Sequence, residues 1–235
     1  MSLNNIITKI IITALFSGMI GGSSLTFIQS IKIIPLILQA EKYEGGNINI
    51  YDKSNEIKKI INKDTEEEHW KPENGFERLF YTVIANIFLS IGLSFILCAV
   101  YLFLDDLRVE KGIFVGIVGY ISFFVLPSLG LEPEIPGTLA APLHDRQIWW
   151  IFTVIVSSVG FIIIFFNKNT FYKLLGVILI LIPHIIGAPI PLQEGGTASQ
   201  KMLYEFINAA YIANGLFWII LALTTMIIFK KLQIK

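Results

Sequence analysis

The sequence predicts an all-α integral membrane protein: a bundle of about six transmembrane helices, N- and C-termini cytoplasmic, with a long first outer loop. Composition is the first reason. Of 235 residues, 54% are hydrophobic and 15% charged, and the mean hydropathy is +0.68, whereas soluble chains carry about 25% charged residues. A soluble domain of this length needs one packed core, so the surplus apolar surface must meet lipid. The second reason is a set of long uncharged runs, and the third is an alternation of basic loops that orients them.

A bilayer core of about 30 Å is crossed by about 20 apolar helical residues. Runs that meet this need fall at about 10–31, 79–104, 112–131, 148–166, 171–187 and 206–229. The first is too long for a secretory signal core of about 7–15 residues and continues past Lys32 to Leu38, so it is expected to stay as a helix. Ala14, Gly18 and Gly22 form a small-residue stripe along it, and Gly112, Gly116 and Gly119 lighten the third run. Such stripes let helix backbones approach closely. The fifth run is the shortest and contains Pro183 and His184.

Cytoplasmic loops carry the excess of Lys and Arg. With the N-terminus inside, the inner set holds Lys9, Arg108, Lys111, Lys168, Lys173, Lys230, Lys231 and Lys235, while the short outer loops hold Arg146 and Lys201. The chain reads as a single membrane domain, 1–235, with residues 41–76 as a polar outer loop. In this topology His69, His144, His184 and all nine prolines lie at or near the outer face. Pro35, Pro127 and Pro183 are expected to bend or unwind their helices, and unwound backbone at membrane depth needs a covering of protein or a water-filled cavity. That favours an outer vestibule, the alternative being that these prolines only end their helices.

His184 is the one ionisable side chain well inside a run, which makes it the first candidate ligand. Glu41 and Glu44 are three apart, so a continuing helix places both on one side. Glu77 begins the second span and also suits a capping box with Asn74 as the N-cap. The acidic run Glu66 to Glu68 with His69 suits capture of a cation from solution. Imidazole with carboxylate oxygen fits divalent first-row metals. The candidate metal ligands are therefore His184, Glu41, Glu44, Glu77 and His69. Trp70, Trp149 and Trp150 are expected in an outer aromatic belt.

Other chemistries lack their residues. Eighteen basic residues balance eighteen acidic ones with no basic patch interleaved with aromatics, which excludes nucleic acid as a partner. Cys98 is the lone cysteine, within an apolar run, so an intrachain disulfide and a thiolate cluster are excluded. No phosphate-binding loop, zincin motif or nucleophile elbow occurs, so neither an enzyme nor a self-energised pump is expected, and no permanently bound cofactor.

Five segments carry a family resemblance: Ile34-Pro-Leu-Ile-Leu-Gln-Ala-Glu-Lys-Tyr-Glu, Trp70-Lys-Pro-Glu-Asn-Gly-Phe-Glu-Arg, Leu126-Pro-Ser-Leu-Gly-Leu-Glu-Pro-Glu-Ile-Pro-Gly, Arg146-Gln-Ile-Trp-Trp and Ile182-Pro-His-Ile-Ile-Gly-Ala-Pro. In order and spacing they resemble the CbtA family of cobalt transporter subunits. The resemblance implies a multi-pass cell-membrane protein associated with cobalamin biosynthesis, Co2+ as the transported ion, and a small one-span CbtB-like partner with a histidine-rich segment. It strengthens His184 as a ligand and weakens His144. This chain departs from the family in having His69 alone where many members carry several histidines. The alternatives are a non-transporting scaffold that docks a metal-binding partner, and a permease for another solute such as a cobalamin precursor.

Overall fold

A computed structural model of the chain describes residues 3–44, 72–192 and 195–232. Within these, α1 spans Leu3–Ile31, α2 Ile33–Glu44, α3 Phe76–Phe103, α4 Val109–Tyr120, α5 Leu126–Ser128, α6 Leu143–Phe166, α7 Thr170–Ile186 and α8 Gln200–Lys231. A π-helical turn, Ile121–Val125, joins α4 to α5 and makes one continuous span of the three. Five helices are long and apolar enough to cross a membrane, and α7 is a shorter apolar helix of 17 residues. At 1.5 Å per residue α7 reaches about 26 Å, close to the thickness of the hydrocarbon core. The six expected runs each coincide with one of these helices.

The helices begin and end where local chemistry dictates. The side chain of Asn169 accepts from the Phe171 N–H at the start of α7, and Ser199 does the same for Met202 at the start of α8. Both satisfy amide donors that have no intrahelical acceptor. The break between α1 and α2 falls at Lys32, three residues before Pro35. That ring has no N–H to continue the ladder and is tolerated in the first turn of a new helix.

Pro127 has a different accommodation. The Leu126 N–H donates to the Ile121 carbonyl, five residues back, and this wider turn relieves the clash between a proline ring and the carbonyl four residues before it. α7 runs three residues past Pro183 to Ile186, so the helix is not unwound there. The turn before α3 also differs. Its N-cap is Gly75 at φ 112°, with no side-chain cap, rather than Asn74. A positive φ at this residue moves the first helical turn one position along the chain. Asn74 instead accepts from Arg78 at 2.9 Å, and Glu77 accepts from the Glu73 N–H at 2.8 Å rather than from the Asn74 N–H that a capping box would use.

Packing is organised around α8, which lies against α1, α2, α3 and α4, while α6 packs on α7. The main core joins Leu25 of α1, Leu93, Leu97, Cys98 and Tyr101 of α3, Val115 of α4, and Phe217, Trp218, Leu221, Met226 and Phe229 of α8. The buried Tyr101 hydroxyl donates to the Ala222 carbonyl at 2.8 Å. Close approach depends on the expected glycines. A Cβ on Gly18 would lie 2.7 Å from Ile91 Cα, and one on Gly22 would lie 2.5 Å from Ile87 Cα. Gly112, Gly116 and Gly119 give α4 the same closeness to α8. A further pair, Gly160 and Gly176, sets the α6–α7 crossing, where a Cβ on either would stand 2.7 Å from the other's carbonyl oxygen.

Hydroxyl and amide side chains occupy the seam between α1, α3 and α8. Ser94 Oγ lies 3.1 Å from Ser17 Oγ and 3.4 Å from Thr225 Oγ1, and all three residues are fully buried. Toward the other end of the seam, the Asn86 amide donates to Thr26 Oγ1 at 2.9 Å and to Gln29 Oε1 at 2.7 Å. These bonds join helices through groups that lipid could not satisfy.

Candidate metal site on the loop face

Even passage of six helices puts the start of α1 and the end of α8 on one face. The opposite face is formed by α2, the segment after α5 and the segment before α8. These are tied together. Thr138 and Gly196 form an isolated antiparallel bridge, with Leu139 N–H donating to Gly195 O at 2.9 Å and Thr197 N–H to Gly137 O at 3.1 Å. Ile135 is 3% exposed and packs in a second apolar cluster with Ile33, Leu36 and Ala40 of α2 and Phe206 and Ala213 of α8.

His184 sits one turn from the end of α7, and its neighbour is Trp149 of α6, with ring centroids 6.0 Å apart in an edge-on arrangement. Trp149 is 6% exposed, so it is a core residue rather than a member of an interfacial belt. Gly130 explains why. A Cβ there would fall 2.5 Å from Trp149 Cη2 and 2.9 Å from Ala188 Cβ, so only glycine lets the turn after α5 close over the ring and the end of α7. Trp150, the next residue, is 40% exposed, and Trp70 lies outside the described residues.

The crossing leaves two buried nitrogens without a hydrogen-bond partner, His184 Nε2 and Trp149 Nε1. A buried polar nitrogen left unpaired costs about 1–3 kcal/mol. Trp Nε1 can only donate, whereas a neutral imidazole nitrogen can accept a proton or ligate a metal. Three of the five family-like segments meet at this point: the turn around Gly130, the Trp149 turn and the Pro183–Ala188 end of α7.

The carboxylates are placed elsewhere. α2 continues as expected through Glu41 to Glu44. Glu41 takes both terminal nitrogens of Arg78, Nη1 to Oε2 at 2.9 Å and Nη2 to Oε1, in a fork-to-fork pair. Glu77 is engaged with the Glu73 backbone. His69 and the side chain of Glu44 lie outside the described residues. His144 is exposed in the first turn of α6. Among the described residues, no three His, Cys, Asp or Glu side chains stand together as a ready metal site. The structure thus brings His184 together with an indole, and Glu41 together with a guanidinium.

A groove of about 770 Å³ beside this crossing was not evident from sequence; Leu131, Glu132, Glu134, Arg146, Gln147 and Trp150 are among its lining residues. The Arg146 Nη1 pairs with Glu134 at 2.5 Å, and its Nε is buried with no partner. The signal was present in the Glu-Pro-Glu of the third segment and the Arg of the fourth, but nothing in their separation along the chain shows that they meet.

Comparison with known proteins yields a match over almost the whole chain. The family model described as "Probable cobalt transporter subunit (CbtA)" matches residues 7–229. Neither a curated protein nor a solved structure matches the chain.

Proposed function

The chain belongs to the CbtA family, and we propose that it is the membrane subunit of a divalent metal uptake system, with Co2+ as cargo, that accepts the ion on the loop face with His184 as a ligand. A multi-pass membrane subunit of a cobalt transporter is what the family implies. The observation that carries the finer reading is the unpaired, buried Nε2 of His184, inside a family-like segment and beside Trp149, over which the Gly130 turn closes.

Borderline metals such as cobalt accept imidazole nitrogen together with carboxylate oxygen. Glu41, Glu44, Glu77 and His69 are the proposed companions, with Glu41 exchanging Arg78 for the ion. Such an exchange replaces one positive charge by another and leaves the carboxylate compensated throughout. No covalent chemistry is assigned to the chain, and the transported ion is its substrate rather than a resident cofactor.

Cobalt uptake by cells expressing the chain with its partner tests this, at matched membrane abundance. His184→Ala is expected to lower uptake at least tenfold, the scale expected for loss of one metal ligand or its support. His184→Gln keeps much of the volume and is expected to fail as well. Wild-type uptake by both variants overturns the role of His184.

The second reading is a scaffold whose partner, a small one-span CbtB-like subunit, supplies the ligands. Occupation of Glu41 by Arg78 and the absence of a three-ligand group among the described residues favour it. Cobalt binding by the purified chain alone, read by equilibrium dialysis, separates the two readings. Binding that appears only with the partner supports the scaffold.

A further inference from the structure

On the face that carries the start of α1 and the end of α8, a cavity of about 440 Å³ opens between the start of α4 and the end of α8. We infer that this cavity holds the headgroup of an acidic phospholipid from the leaflet on that side. Its lining divides by chemistry. Arg108, Lys230 and Lys231 supply positive charge, while Leu107, Val109, Met226 and Ile227 supply apolar walls. A phosphate esterified to a glycerol with acyl chains presents the same two kinds of surface, charged and apolar. A free anion needs only the first.

The local charges leave room for an anion. Asp106 is engaged by both Arg108, at 2.7 Å from Nε, and Lys111, so one carboxylate is shared between two cations. Lys230 Nζ donates to the Leu107 carbonyl at 3.2 Å, which holds its ammonium at the cavity wall without neutralising it. Lys231 is exposed and lies in the last turn of α8. Asp105 and Glu110 are close in sequence but do not line the cavity. The first turn of α4 adds amide N–H groups, since its N-cap Arg108 makes no side-chain cap. Basic pockets between transmembrane helices on the cytoplasmic side suit anionic headgroups, and the distribution of Lys and Arg assigns this face to the cytoplasm.

The test is lipid retention by the full chain. Protein reconstituted in an equimolar mixture of phosphatidylglycerol and phosphatidylcholine is released from its membrane mimic, and its bound lipids are counted by native mass spectrometry. The wild type is expected to retain phosphatidylglycerol in preference. Each of Arg108→Gln, Lys230→Gln and Lys231→Gln is expected to reduce that preference about fivefold, on the scale of one basic side chain at a membrane surface. Lys230→Arg is expected to keep it. Lys231→Gln alters one exposed side chain and serves where the other variants fail to fold. Equal retention of both lipids by the wild type, or an undiminished preference in Lys231→Gln and Lys230→Gln together, overturns the inference. Displacement of the lipid by an equal concentration of inorganic phosphate assigns the cavity to a free anion and likewise overturns it.

Discussion

The pair of Glu41 and Arg78 ties α2 to the first turn of α3, and its strength decides whether Glu41 acts as strut or ligand in the resting protein. Both side chains are about 30% exposed, at 30% and 28%. Fully exposed pairs contribute about 0.2–1 kcal/mol, and breaking a fully buried pair costs about 3–5 kcal/mol. This one lies between, with two parallel charge-assisted bonds in its favour. A coupling energy of about 1–2 kcal/mol is expected, or about a five- to thirtyfold change in the folding equilibrium. A double-mutant cycle of Glu41→Ala and Arg78→Ala, read by denaturant titration in detergent, measures it directly. A coupling below about 0.3 kcal/mol, the usual error of additivity, refutes the strut. The same cycle with saturating cobalt tests the exchange. On the proposed exchange a metal that takes Glu41 releases Arg78, so the coupling is expected to fall toward zero with cobalt present, and an unchanged coupling rules that exchange out.

Three further outcomes follow from the packing. Gly22→Ala is expected to lower stability by about 1–3 kcal/mol, the scale of overpacking, because its new Cβ would meet Ile87 backbone at 2.5 Å, whereas Gly92→Ala, with nothing within 4 Å, is expected to be neutral or mildly stabilising; equal melting temperatures for the two would contradict the crossing described. Ser94→Ala removes the group between Ser17 and Thr225 and is expected to cost about 0.6 kcal/mol, and up to about 1.7, on the scale of hydrogen bonds in membranes, as measured by the same titration. Gly130→Ala is expected to lower both the melting temperature and cobalt uptake by forcing the turn off Trp149, and the smaller ring of Trp149→Phe is expected to restore part of each. Failure of the second change to rescue the first would show that the contact with Trp149 is not what glycine serves there.

The spans were readable because the bilayer imposes one length and one composition on every crossing, and a run without charge announces itself without reference to any other part of the chain. The same is true of the glycine stripe on α1, whose spacing shows a close approach even though it does not name α3 as the partner. Other features depend on which segments meet. The reciprocal pair Gly160 and Gly176 has no shared spacing, and Trp149 and Trp150 look alike until Gly130 is seen to cover one of them. Asn74 read as a cap because the pattern of a capping box is local, yet the backbone at Gly75 took the cap position through a positive φ that residue identity allows but does not require. Ser17, Ser94 and Thr225 passed as ordinary helix residues, since each hydroxyl has a carbonyl nearby on its own helix and only the assembled bundle brings the three together.

The architecture places the proposed ligands on parts of the bundle with different support. Glu41 belongs to α2, which packs on α1 and α8, and is clamped to α3 by Arg78. His184 belongs to the α6–α7 pair, whose two helices are locked to each other at Gly160 and Gly176, and α6 meets the rest of the bundle at the π-helical turn, at α5 and through Phe165, edge-on to Phe114 of α4 at 4.8 Å. The π turn and α5 are short, carry Pro127, and have one buried hydroxyl, Ser122 Oγ, without a partner. A π turn inside a span concentrates irregular backbone at one place. Under the proposed function an ion bound by both His184 and Glu41 has to bridge these two supports, because the structure pairs the imidazole with Trp149 and the carboxylate with Arg78.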